Sequence, residues 1–190
     1  MSKNRIIIIV IGVALIVAVQ AAVLYWLGHP VICQCEYLKI WDGAIKGAEN
    51  SQHLLDWYFF SHVIYGFIIY FFLWLAGARK RGWPLAAMML VVLLASASWE
   101  IFENTHYVVD RYQQATISSN YYGDSIINSL IDTTAVLLGF ALAWRLPISV
   151  TIILAVTMEF VAGAVIHDNL SLNAIMLIYP FEAILQWQSG

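Results

Sequence analysis

Residues 125–146 read SIINSLIDTTAVLLGFALAWRL. A helix of about 22 residues is long enough to cross the roughly 30 Å hydrocarbon core of a bilayer. The polar side chains in and before this stretch are ordered. Asp124, Asn128 and Asp132 recur every four residues, so they share one helix face. At 1.5 Å rise per residue, Asp132 lies roughly 10 Å below the start of the helix. That is too deep for a short carboxylate to snorkel to water. A charge inside a bilayer is costly, and it normally faces the bundle interior or a water-filled cavity. This single stretch therefore predicts a transmembrane helix and neighbours that shelter an acid.

The neighbours are legible as further apolar runs. Working outward, they are Pro84–Asn104 and Leu55–Gly77 upstream, Ile148–Ile166 and Leu172–Trp187 downstream, and Ile6–Leu27 at the N-terminus. The expected fold is an all-α, polytopic transmembrane bundle of about six spans in a single domain, residues 1–190. Outer, periplasmic loops are expected at 28–54 and 105–124. The sixth run is short and interrupted by Pro180, so a full crossing, a kinked short helix and a re-entrant segment are its alternatives. Leu146-Pro147 is all that joins the fourth and fifth spans, which fits a tight antiparallel turn. Composition agrees: 62% of the 190 residues are hydrophobic and 11% are charged, against about 25% charged in soluble domains. The net charge of −3 comes with no basic stripe, which argues against nucleic acid as a partner. The bilayer is the expected solvent.

Lys3 and Arg5 precede the first run, as in a secretory signal, but the run exceeds the roughly 7–15 residues of a signal core and reads as an uncleaved anchor. With the N-terminus cytoplasmic, Lys3, Arg5, Arg79, Lys80, Arg81 and Arg145 fall inside, and Lys39, Lys46 and Arg111 outside. That distribution satisfies the positive-inside rule. Both termini are then cytoplasmic if the sixth span crosses.

On this topology the polar residues gather in the outer leaflet. The second span brings Asp56, Ser61 and His62; the third, Glu100, Glu103 and Asn104; the fourth, Asp124, Asn128 and Asp132; the fifth ends at His167 and Asp168. Glu100, Glu103 and Asn104 share a face at i, i+3 and i+4. His62, Glu100, Glu103, Asp124 and Asp132 are the candidate catalytic groups, and His62, Glu100 and Asp132 the candidate ligands of a divalent metal. Asp56, Ser61, Asn104, Asn128, His167 and Asp168 are supporting polar residues. Plainer readings stand beside these. Asp124 after Gly123 is equally a helix N-cap. Asn128 is equally an interhelical hydrogen-bonding residue. Glu103 and Asn104 sit where water solvates them, and His167 and Asp168 read as a wet loop. Trp57, Tyr58, Tyr107, Tyr121 and Tyr122 read as an interfacial aromatic belt. Cys33 and Cys35 lie in the first outer loop, where disulfides are permitted. A direct bridge, a metal clip and separate partners are all open.

The combination His29-Pro30, Cys33-x-Cys35, Glu49-Asn50-Ser51-Gln52-His53, Asp56-Trp57-Tyr58, Trp99-Glu100-x-x-Glu103-Asn104 and Tyr121-Tyr122-Gly123-Asp124-Ser125 resembles an uncharacterised multi-pass inner-membrane family of alphaproteobacteria, a domain of unknown function. The resemblance implies a bacterial inner (plasma) membrane location and no assigned activity. A looser pattern is similar to VanZ-like membrane proteins: an Asp and a His opening one span, a Glu closing the next, then Gly-Asp with Asn and Asp descending a helix. No His-Glu-x-x-His, Gly-x-Ser-x-Gly or phosphate-loop motif is present. Three classes stay open: an enzyme acting on a lipid or lipid-linked substrate, a structural or assembly protein, and a small ion or proton-coupled transporter.

Overall fold

The computed structural model describes residues 3–190. The side chains of Lys3 and Arg5, used above for orientation, lie outside what is described. The helices in chain order are α1 (Lys3–Trp26), α2 (Tyr58–Leu75), α3 (Leu85–Glu103), α4 (His106–Ala115), α5 (Ile126–Arg145), α6 (Ile148–Ile166), α7 (Leu170–Ile178) and α8 (Glu182–Ser189). Five of them (α1, α2, α3, α5 and α6) are long and apolar enough to cross a membrane. The chain is a multi-pass helical membrane protein.

Local chemistry sets the helix ends. The Ser125 side chain caps α5 by accepting from the Asn128 amide. Pro147 stands at the head of α6, and Leu146 before it is extended, as a residue before proline prefers. Asn169 caps α7 by accepting from the Leu172 amide.

The sixth run takes the broken, re-entrant form. Tyr179 is extended before Pro180, which splits the run into α7 and α8. The Gln188 side chain at the end of α8 donates to Asp168 Oδ1, 2.9 Å away, where α7 begins. Lys46 in the first long loop reaches the Gln188 carbonyl at 3.4 Å. The segment therefore starts and finishes at the same end of the bundle. Without a sixth crossing, the start of α1 and the end of α8 lie at opposite ends of the bundle, not on one side.

α5 is the hub. It packs extensively on α2, also on α3, and touches α1 and α6, while α1 leans mainly on α3. Apolar contacts such as Val136 and Phe140 of α5 against Ile69 of α2 and Val92 of α3 fill the middle. α1 and α6 keep most of their apolar surface outward, with Ile8, Leu15 and Phe160 among the exposed residues. A bilayer would cover such a surface.

The α2–α5 crossing depends on two glycines. A Cβ on Gly66 would collide with the backbone of Val136 and Phe140; one on Gly139 would collide with the Val63 carbonyl. Small residues let membrane helices approach backbone to backbone. Gly139→Leu is therefore expected to force the pair apart, costing about 3 kcal/mol or more. Gly12→Ala, whose new Cβ would meet only the Leu90 side chain at 3.5 Å, is expected to be near neutral. Thermal melts of the two purified variants in detergent, beside the wild type, check this.

Candidate functional site

The chain ends that meet at one end of the bundle are the C-termini of α1, α3 and α6 and the N-termini of α2 and α5, with the loops between them. A buried polar chain runs inward from there. On α1, Gln20 is fully buried. Its amide nitrogen donates to Ser129 Oγ of α5 at 2.9 Å, and its oxygen accepts from Thr133 at 3.1 Å. Ser129 in turn donates to Glu100 Oε2 of α3 at 2.8 Å. The other oxygen, Oε1, is 3.4 Å from His62 Nδ1 on α2. The far ring nitrogen of His62 is 3.8 Å from Asp132 Oδ2, back on α5. One imidazole thus stands between two buried acids, and four helices contribute.

Nearer the surface a second set surrounds Asp124. Its carboxylate accepts from Asn104 Nδ2 at 2.7 Å and from the Tyr121 hydroxyl at 2.9 Å. Its amide donates to Asn104 Oδ1 at 2.6 Å. Burial pushes the Asp124 carboxyl up to about 6. Glu103 accepts from the Tyr112 hydroxyl at 2.7 Å, and that hydroxyl also lies 2.9 Å from Asn173 of α7. Burial holds Tyr112 and Tyr121 well above the usual phenol range, so both stay donors.

Between the sets lies a cavity of about 200 Å³. His62, Glu103, Asp124 and Asp132 line it, with Tyr58, Ser61, Tyr112 and Tyr121; the α7 residues Leu170, Asn173, Ala174 and Leu177 form one wall. Glu100 stands behind His62, outside the lining. Of the supporting residues, Asn128 is turned to the first long loop and donates to the His53 carbonyl at 2.8 Å. Asp56 is buried and accepts from the Tyr58 amide, as a turn-forming aspartate does. His167 takes a left-handed conformation at the end of α6 and packs its ring on Trp187.

Several plainer readings change. Asp124 is not the helix cap; Ser125 is. Asn104 is 1% exposed and Asp168 0%, so neither is solvated. Asp168 accepts from the Tyr58 hydroxyl at 3.0 Å as well as from Gln188, locking α7 and α8 to α2. Tyr58 and Tyr121 belong to the cavity and not to an aromatic belt, whereas Tyr107 is outward-facing. The missed residues carried signals. Tyr58 and Tyr65, also in the cavity lining, fall at i and i+7 of the face that carries Ser61 and His62. Gln20 interrupts an otherwise apolar run.

Three side-chain groups have a metal-compatible arrangement among the described residues: His62 with Glu100 and Glu103; Asp42 with Glu49 and His53; and Cys33 with Cys35 and His53. Cys33 and Cys35 are joined by a disulfide, which removes their thiolates. The loop acids are already served by Lys39, 2.7 Å from Glu49 and 3.2 Å from Asp42. Hydrogen bonding from Lys39 holds Glu49 down at about 2. Asp132, expected among the ligands, sits across the His62 ring from the first group.

Fold and site together define a polytopic helical membrane protein that buries acids and one imidazole beside a cavity at the end where its long loops lie. Residues 24–190 match the family described as a protein of unknown function, DUF2585, and the chain belongs to that family. It is similar to a UPF0314 protein of Rhizobium meliloti, 45% identical over 175 residues that cover 92% of this chain and 87% of that one. A UPF0314 protein of Brucella anthropi is also 45% identical over 175 residues, covering 92% and 87%. One of Paracoccus denitrificans is 42% identical over 177 residues, covering 93% and 90%. No solved structure matches the chain.

Asp168 gives a pH test of the re-entrant hairpin. Burial raises its carboxyl to about 6. Between about pH 4 and pH 6 the native state then holds a proton that the unfolded chain has lost, so this contribution is full below the unfolded value and disappears as pH rises through 6. Its upper size is about 3 kcal/mol. The fall in melting temperature from pH 4 to 6 is expected to be shallower in Asp168→Asn than in the wild type.

Proposed function

We propose that this protein is a membrane enzyme acting on a lipid or lipid-linked substrate, with the cavity around His62 as its active site. The observation that carries the reading is His62 placed between Glu100 and Asp132 at the wall of a cavity. An imidazole with a carboxyl group near each ring nitrogen is equipped for general acid–base work. Asp132 would orient the ring, while Glu103 and Asp124, at the cavity wall with tyrosine hydroxyls on them, would position polar parts of the substrate. Leu170, Ala174 and Leu177 along one wall support a substrate with a hydrocarbon portion.

The proposed setting is the bacterial inner membrane with the N-terminus cytoplasmic. The end opposite the cavity carries Arg79, Lys80, Arg81 and Arg145, which supports placing that end inside and the cavity at the periplasmic leaflet. Residues 28–54 and 105–124 are then the periplasmic loops. The pattern similar to VanZ-like proteins, Asp56 and His62 opening α2 and Glu100 closing α3, points to the same end. Transport has less support, because the lower bundle offers few polar residues for a path. An assembly role is the other outcome of the test below.

The test compares total lipids from a strain lacking the gene, the complemented strain, and strains complemented with Asp132→Asn or His62→Gln at matched protein levels. The expected result is one lipid class that accumulates in the deletion strain and in both variant strains. Full complementation by both variants would overturn the proposal and favour a scaffold.

A further inference from the structure

We propose that the site holds a divalent metal ion, of the zinc or manganese kind, on His62, Glu100 and Glu103. This deepens the enzyme reading above and rests on the same site; with the ion bound, His62 serves as a ligand, and the acid–base work assigned to it above would pass to water held by the ion.

One ligand atom from each of the three residues lies within 4.8 Å of the other two, a spread that a small inward shift closes around one ion. The carboxylates come from i and i+3 of α3, and the imidazole comes from α2 facing it. In both glutamates the oxygen not needed for the metal already has a hydrogen-bond partner, and the second ring nitrogen of His62 has a carboxylate nearby. Glu100 Oε2 accepts from Ser129 at 2.8 Å, and Glu103 Oε1 from Tyr112 at 2.7 Å. His62 Nε2 faces Asp132 Oδ2 at 3.8 Å. The remaining oxygens, Glu100 Oε1 and Glu103 Oε2, are buried and have no hydrogen-bond partner. Glu100 is 0% exposed, and its free oxygen is aimed at His62 Nδ1, 3.4 Å away.

The glutamates show the outer-shell pattern of a metal centre, and Asp132 stands within a small movement of completing it at His62. A ligating histidine generally donates its second ring N–H to a carboxylate, and ligating carboxylates are themselves hydrogen-bonded. Asp132 would fix the tautomer that leaves Nδ1 free to ligate. Charge argues in the same direction. Two carboxyl groups sunk in a bundle stay ionised only with a cation nearby. Among the described residues, no Lys or Arg pairs with Glu100 or Glu103, whereas the acids of the first loop have Lys39. Imidazole with carboxylates suits zinc and manganese better than calcium, which prefers all-oxygen shells. Three protein ligands leave a coordination position open. His62 and Glu103 line the cavity, so that position would face it and could carry a water or a substrate oxygen.

The experiment uses the full chain purified in detergent with its affinity tag removed and stripped with chelator. It is titrated with Zn²⁺ and, separately, with Mn²⁺; calorimetry and elemental analysis give affinity and stoichiometry, and thermal melts follow stability. The expected result is about one ion per chain and a melting temperature raised by the ion. Affinity should drop at least 100-fold in His62→Ala and in Glu100→Gln, and about 10- to 100-fold in Asp132→Asn. Glu49→Gln, in the first loop, should bind as the wild type does. Monodisperse elution of each variant separates loss of the site from loss of the fold. Should a ligand variant fail that check, Ser129→Ala, which frees the second Glu100 oxygen without removing a ligand, is used and should weaken binding while remaining folded. Either no stoichiometric binding to the folded wild type, or binding unchanged in the folded His62→Ala protein, would overturn the metal site. Failure here leaves the enzyme proposal standing if Asp132→Asn still accumulates the lipid. Binding without any lipid change would leave the metal site standing and remove the enzyme.

Discussion

The arrangement turns on one electrostatic constraint: Glu100 and Asp132, both buried within a lipid-embedded bundle, have the two ring nitrogens of His62 between them. Isolated carboxylates at such depth would be strongly penalised. The penalty is offset only if partners arrive from other helices, and that requirement dictates which helices must touch. Ser129 brings α5 to Glu100, Gln20 brings α1 to Ser129, and His62 ties α2 to both acids. The close α2–α5 crossing at Gly66 and Gly139 lies one to two helical turns farther along and holds those two helices at that spacing. Polar contacts alone are worth only about 0.6 kcal/mol each between membrane helices. Apolar packing therefore carries stability, and the polar chain selects one arrangement.

The loops finish the enclosure from above. Gln52 and His53 are buried, and Gln52 donates to the Gly123 carbonyl at 2.7 Å, clasping the first long loop to the start of α5. Glu159, well inside α6, accepts from the Leu170 and Ser171 amides at 3.0 Å each and so anchors the head of α7. A carboxylate at a helix N-terminus satisfies donors that the helix cannot satisfy itself. α7 then lies along the cavity, and α8 returns to Asp168. Segments that resemble connections in the sequence serve as walls.

The spans and much of the inner site were legible because both obey simple periodicities. Apolar length marks a crossing, and the four-residue spacing of Asn128 and Asp132 places both on buried parts of α5, whereas Asp124 lies just before that helix and is buried by its own turn. Depth made Asp132 conspicuous. The outer site was less legible, since residues near the water boundary look the same in sequence whether wet or buried. For Asp168 and Asn104 the sequence leaves a solvated and a supporting role open, and the structure seals both with Tyr58, Gln188, Asp124 and the loops. Tyr112 and Asn173 are brought together by α4 and α7, and no local spacing announces a contact between segments so far apart. The turn at Pro180 was visible; that α8 comes back to the loop end, and does not continue across, follows from Gln188 finding Asp168.

The most direct measurement is a solid-state NMR spectrum of the protein in bilayers, with nitrogen labels in the histidine rings and carbon labels in the Asp and Glu carboxyls. Through-space correlations from the His62 ring to the carboxyls of both Glu100 and Asp132, each lost when that acid is replaced, are the expected result. A His62 ring that correlates with lipid or bulk water and with neither acid would contradict the arrangement.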